Sequence, residues 1–443
     1  MKPYKAFIFI GLTLLLIVFT LYVEKQLNWN TFSSSNPTDE NGNIELSVEQ
    51  DNDTISLTPK ENDLTQQSFP YDTVTSNIRM LDHNIFKGLA NRFMQADSLN
   101  RTARIFYMGD SQLEGDFLAS TLRENLQNKY GGNGPGLIAA DQYYSTLHQL
   151  VVSTSKNWKQ SKRMVIPKGN KSLVFRHASI GANDQEAWLK INRLNSLNPK
   201  EDYQQLRLFF VAGDSSRISI KSHNQPISNY RLGGSDSMQT TCLKLGKTPG
   251  NIEVSVNAAG YFEMECLSLD GSHGVYVDNI PLRGKATPLF NISDSTAMLN
   301  MCNALNPDLF ILQFGANVIK YAGKKTNEVF RKQTINQIQL IKKWCPDAQI
   351  LIISISDIAH RTAKGIVSYT NIASLKAIQY EIAMQYGCAF WDLDNYIKQE
   401  GGIVSWTKSN PALARNDYLH FTKYGARKIG TKLSELLLQE FEK

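Results

Sequence analysis

Four short segments carry residue types that can move a proton off a hydroxyl and stabilise a negatively charged oxygen. Ser111 follows the apolar run Ile105-Phe106-Tyr107-Met108 and the pair Gly109-Asp110. A serine hydroxyl becomes a good nucleophile only beside a base that a carboxylate orients. Asp417-Tyr418-Leu419-His420 supplies such an acid and base, three residues apart, ahead of the last helical segment. Gly315-Ala316-Asn317 follows a second apolar run and offers a side-chain amide. Gly284, in Asp278-Asn279-Ile280-Pro281-Leu282-Arg283-Gly284, offers a backbone N–H. Donors aimed at one oxygen, including the Ser111 N–H at a strand-to-helix junction, are what a developing oxyanion requires. Alone, Gly-Asp-Ser is a weak signal, since an ordinary polar strand-to-helix turn can carry it.

Taken in order, Ser, Gly, Asn and Asp-x-x-His resemble the SGNH branch of the GDSL esterases and lipases. The resemblance covers residues 75–145 and 276–443. It implies Ser111 as nucleophile, His420 as general base and Asp417 as the carboxylate that orients it. It further implies an oxyanion hole of the Ser111 amide, Gly284 and Asn317, with Asp110 bracing the turn. Gln112 stands where the family usually has an apolar residue, and Val318 where an aspartate often follows the asparagine. The chain is most similar to bacterial peptidoglycan O-acetylesterases, which carry a carbohydrate-binding-like β-domain between the serine and glycine blocks. The resemblance thus implies a serine esterase removing O-acetyl or similar short acyl groups from a cell-envelope polysaccharide such as peptidoglycan. An O-acetyltransferase using the same residues, and a non-catalytic glycan-binding envelope protein, are the alternatives. This chemistry calls for no metal or organic cofactor.

Positioning such residues takes an α/β frame. Apolar runs at 105–108, 309–314, 349–355 and 388–393 read as buried parallel strands. Between and around them, 84–99, 117–130, 327–344, 374–386 and 424–441 read as helices, and 131–136 (GGNGPG) stops the second. Alternation of this kind predicts an SGNH-hydrolase-like, flavodoxin-like α/β fold, a parallel sheet with helices on both faces. The middle differs: β-type runs at 172–175, 206–211, 218–220, 252–256 and 261–267 predict an inserted antiparallel β-sandwich. Trp188, Phe209, Phe210, Tyr230 and Tyr261 in this region suit core packing or stacking on sugars. The expected organisation is a signal anchor over 1–25, an acidic linker over 26–70, α/β segments at 71–150 and 273–443, and the insert at 151–272.

The N-terminus suggests the compartment. Residues 6–23 hold eighteen positions without a charge, after Lys2 and Lys5. That is long enough for a spanning helix, which needs roughly 17–25 apolar residues. No small-x-small site follows, so the run reads as an uncleaved signal anchor rather than a cleaved peptide. The lysines keep its start inside and place the body on the periplasmic or extracellular side of the bacterial inner membrane. Residues 38–63 carry a net charge of −7; a polar, acidic stretch like this cannot bury enough apolar surface to fold. The rest carries +13, scattered as solubility charge with no pattern for nucleic acid. Cys242, Cys266, Cys302, Cys345 and Cys388 have no metal-ligand spacing, nor do His83, His148, His177, His223, His273 and His360. Asp392 and Asp394 end a strand and suit a helix cap or the wall of a cleft.

Overall fold

The computed structural model describes residues 77–443 apart from 83, 141–149, 161–177, 181–185, 194–201, 224, 246–249, 289 and 291–292. Five strands form an all-parallel sheet: β1 (Thr102–Gly109), β2 (Gly274–Pro281), β3 (Leu309–Gln313), β4 (Gln349–Ile353) and β5 (Ala389–Trp391). Their spatial order is β2-β1-β3-β4-β5, the doubly wound order of flavodoxin-like sheets.

Strand periodicity divides the core cleanly. Phe106, Met108, Phe310, Leu312, Ile350 and Ile352 face one side. There they meet α3 (Ser295–Leu305), α4 (Lys324–Trp344) and α5 (Ile372–Gln385). Ala103, Ile105, Tyr107, Leu309, Ile311, Leu351 and Ile353 face the other. They pack on α1 (Ile85–Ala96), α2 (Phe117–Tyr130), α6 (Leu393–Gln399), α7 (Gly402–Lys408) and α8 (Lys423–Phe441). Alternate residues of one strand point to opposite faces, so helices on both faces follow from runs apolar at every position. Asp392 accepts the Asn395 N–H and caps α6, the cap role foreseen for it, while Asp394, inside the first turn, pairs with buried Lys376 and exposed Lys398.

Between α2 and β2 the chain builds two antiparallel sheets. One orders Ser235–Lys244, Gln205–Ala212, Phe262–Asp270, Ala178–Ile180 and Trp158–Gln160, with Gly136–Ala139 also paired to Phe262–Asp270. The other orders Leu150–Thr154, Glu186–Arg193, Asn251–Asn257, Arg217–Ser222 and Gln225–Arg231. Their facing residues, among them Leu189, Ile191, Phe210, Ile220, Val254 and Phe262, form a third core. Phe209 and Phe210 are buried; Trp188 lies beneath the Lys190 ammonium at 4.5 Å, and Tyr261 is exposed. A buried ion cluster joins the two parts. Arg104 of β1 binds both carboxylate oxygens of Asp278 on β2, at 2.9 and 2.8 Å, and Asp270 of the antiparallel sheet at 2.7 Å.

Among the described residues no helix is long and apolar enough to cross a membrane. The apolar run at 6–23, the acidic stretch, the strand expected at 172–175, His83, His148 and His177 lie outside the described residues.

Candidate active site

All the candidate residues stand at or beyond the carboxyl ends of the parallel strands, where ligands bind in open α/β sheets. β1 ends at Gly109, where a Cβ would come within 2.8 Å of the Leu113 side chain and the Gln313 carbonyl, so only glycine fits. Asp110 then caps a 3₁₀ turn over Ser111–Leu113, its carboxylate accepting the Gln112 N–H at 3.0 Å. The α-helix expected over 117–130 follows, starting at Phe117. As first residue of the turn, Ser111 has an N–H with no acceptor inside it.

Asp110 is 1% exposed. Burial pushes its carboxyl up to about 6, against the N–H groups of Gln112 and Ala316 and the attraction of His420. One carboxylate thus ties the serine turn to the Gly315-Ala316-Asn317 turn on the next strand. Gly315 has φ +123°, a backbone that disfavours side chains. Asn317 donates from its side-chain amide to the Lys285 carbonyl at 3.0 Å. Gly284, at φ +75°, lies in the turn closed by Lys285 N–H to Leu282 carbonyl at 3.1 Å. Leu282 in turn donates to the Gly109 carbonyl at 2.7 Å. Ser111, Gly284 and Asn317 are therefore held on three consecutive, mutually bonded strand ends. Arg283 adds a bidentate ion pair to Glu114, just after the serine turn.

His420 comes from the far end of the chain. Its Nε2 lies 2.8 Å from the Ser111 hydroxyl, and its Nδ1 lies 2.9 Å from Asp417 Oδ2. Asp417 Oδ1 also accepts the N–H groups of Leu419 and His420, at 3.0 and 2.9 Å. Burial pushes the Asp417 carboxyl up, but the His420 side chain and these N–H groups outweigh it and hold it at about 2. An ionised carboxylate only accepts, so Nδ1 carries a proton, and it is Nε2 whose lone pair can take the serine proton. Serine, imidazole and carboxylate in series can take a proton from a hydroxyl as it attacks an acyl carbon.

No protein-family model matches this sequence, and no curated protein does. Among solved structures, a peptidoglycan O-acetylesterase aligns over 82% of this chain and 99% of its own, with TM-score 0.65 and 18% identity. The fold is SGNH-like. The frame carries the antiparallel sheets as an addition to the parallel one. Family two carbohydrate esterases from Cellvibrio japonicus and Clostridium thermocellum align with TM-scores of only 0.25 and 0.24, at 11% and 9% identity. They cover 66% and 60% of this chain, and 99% and 95% of their own chains. Scores that low carry no argument.

Sequence reasoning singled out Gln112 and Val318 only as departures from the SGNH pattern. Val318 is a core residue, buried with Phe314 and Ile319. Gln112 is 6% exposed and bonded to the peptide next to His420. The Arg283–Glu114 pair was not foreseen. Opposite charges flanking the glycine and serine segments were the available signal. Of the histidines without metal-ligand spacing, His273 pairs with Asp97 at 2.9 Å and His360 stacks on Tyr369.

Proposed function

We propose that this chain is a serine esterase that removes O-acetyl or similar short acyl groups from a cell-envelope polysaccharide such as peptidoglycan. The observation that carries the reading is the 2.8 Å approach of Ser111 Oγ to His420 Nε2, with Asp417 on the other ring nitrogen. The SGNH-like fold and its likeness to a peptidoglycan O-acetylesterase support the substrate class.

In this reading Ser111 Oγ attacks the ester carbonyl carbon as its proton passes to His420 Nε2. The carbonyl oxygen becomes an oxyanion, met by the N–H groups of Ser111 and Gly284 and the Asn317 amide. Collapse breaks the bond to the sugar oxygen, which leaves with the proton from Nε2, and the acyl group stays on Ser111. A water then gives its proton to Nε2 and its oxygen to the acyl carbon, releasing the acid and restoring the serine hydroxyl. Asp417 keeps Nδ1 protonated and stabilises the imidazolium formed in each half. The apolar run at 6–23 would hold the body on the outer side of the bacterial inner membrane, as a signal anchor.

The test is hydrolysis of p-nitrophenyl acetate and longer esters, followed by acetate release from O-acetylated peptidoglycan. Wild type is compared with Ser111→Ala and His420→Ala. Acetate-selective turnover lost in both variants supports the reading. Turnover that survives Ser111→Ala removes the nucleophile, and acetate transferred onto a glycan acceptor makes the chain a transferase.

A further inference from the structure

We propose that Gln112 is a positioning residue that sets how His420 meets Ser111, through a one-way hydrogen-bond chain beginning at the Tyr107 hydroxyl. This rests on reading Ser111 and His420 as nucleophile and base.

The chain has a single consistent direction. A backbone carbonyl can only accept, so at 2.9 Å from the Leu419 oxygen Gln112 must present its amide nitrogen. The same nitrogen donates its second proton to Ser356 Oγ at 2.8 Å. Gln112 Oε1 is thereby turned toward Gln313 Nε2, at 3.2 Å. Gln313 Oε1 then faces the Tyr107 hydroxyl, which donates at 2.6 Å. Burial pushes the Tyr107 phenol well above its usual range, so the first donor keeps its proton. Tyr107, Gln112, Gln313 and Ser356 are each no more than 6% exposed, where a fully bonded amide chain holds one orientation.

The end of the chain is where the site needs support. The side chains of Asp417 and His420 are 46% and 29% exposed, and Tyr418 between them has φ +57°. Backbone bonds also hold this turn: Arg415 to the His420 carbonyl and Tyr418 to the Arg415 carbonyl within it, and Ala359, from the segment after β4, to the Tyr418 carbonyl. The Gln112 bond comes from the residue covalently next to Ser111 and reaches the peptide next to His420. It therefore couples the two turns whose separation defines the 2.8 Å contact. An apolar side chain after the serine would remove this direct bond between the two turns.

The experiment compares the full chain with Gln112→Met and Tyr107→Phe in p-nitrophenyl acetate kinetics, thermal unfolding and the low-field proton resonance of His420 Nδ1–H. Gln112→Met should lower kcat about 10–100-fold, the penalty for a misplaced catalytic group, with KM nearly unchanged. The low-field resonance should broaden or vanish in a protein that still unfolds cooperatively. Tyr107→Phe, which only releases Gln313 to turn over, should lower kcat less and in the same parameter. Unchanged kcat and an unchanged resonance in Gln112→Met overturn the proposal. If that variant does not fold, the same null result in Tyr107→Phe overturns it. A wild type without turnover, or turnover surviving Ser111→Ala, sinks the esterase reading instead, and the His420 resonance still decides the positioning role.

Discussion

Arg283 holds both carboxylate oxygens of Glu114, fastening the turn of Gly284 to the turn of Ser111. The Arg283 side chain is 50% exposed, and pairs this open to water contribute at most about 1 kcal/mol to stability. Arg283→Ala should therefore barely change the unfolding temperature. It should still lower kcat roughly tenfold, because a donor set loose by a fraction of an ångström stabilises the oxyanion poorly. Steady-state kinetics beside differential scanning fluorimetry check the contrast. Equal and large losses in both would make the pair a fold element.

Asn317→Ala removes one proposed oxyanion donor and the bond to the Lys285 carbonyl. The expected loss in kcat is about 10²–10³-fold, as for a single donor, with a smaller change in KM. A variant that keeps wild-type kcat would take Asn317 out of the site.

Asp110 makes a prediction with a definite sign. Its folded pKa of about 6 lies above the ordinary 3.8. The stability it contributes is therefore full below pH 4 and is lost as pH rises through 6. Above that, the buried charge opposes folding. Asp110→Asn should unfold several degrees higher than wild type at pH 8 and match it near pH 4, while kcat falls because the N–H groups of Gln112 and Ala316 lose a charged acceptor. A variant less stable at pH 8 would mean that those two bonds outweigh desolvation.

Asp417 has the opposite sign. Its pKa of about 2 lies below 3.8, so its contribution is full above pH 4 and lost as pH falls toward 2. Asp417→Asn should flatten that acid limb of the stability curve. It should also cost roughly 10²–10⁴-fold in kcat, since an amide no longer fixes the His420 tautomer. Acid titration of unfolding, followed by circular dichroism, tests the first part, and kinetics at neutral pH the second.

Asp278→Ala should be the most destabilising of these changes, by about 3–5 kcal/mol, the usual cost of removing one partner of a buried ion pair. It leaves Arg104, 2% exposed, facing Asp270 alone, and it strands the Leu137 N–H that Asp278 accepts at 2.8 Å. Chemical denaturation measures it; a loss under 1 kcal/mol would show that the cluster is not what joins β1, β2 and the antiparallel sheet.

The parallel strands were legible because they are buried on both faces. Runs such as Leu309-Phe310-Ile311-Leu312 stay apolar at every position and need no partner to be recognised. The helix over 117–130 was legible at both ends, with Gly131 stopping it where it stops in the structure. β2 was not read as a strand. Its Asp278 and Asn279 are polar, and tertiary partners make their burial tolerable: Arg104 and the Leu137 N–H for Asp278, the Leu113 carbonyl for Asn279. The helix Ser295–Leu305 was also missed. The strands Glu186–Arg193 and Gln225–Arg231 were missed as well. The first carries exposed or half-buried side chains on one face and pairs with Asn251–Asn257, far away in sequence. The second is exposed or half-buried along its whole length and forms a hairpin with Arg217–Ser222.

For the candidate site, residue type and order, read through the resemblance to SGNH esterases, singled out Ser111, Gly284, Asn317, Asp417 and His420 as candidates, because each chemical task admits few side chains. The contact between residues 309 positions apart was decided only by the folded chain. So were the partners that fix it. Gln112 is an odd polar residue until Leu419 arrives beside it, and Arg283 and Glu114 are surface charges until two strand ends meet. Hydrogen bonds and ion pairs depend on distances of a few tenths of an ångström, which tertiary packing sets and local sequence does not encode.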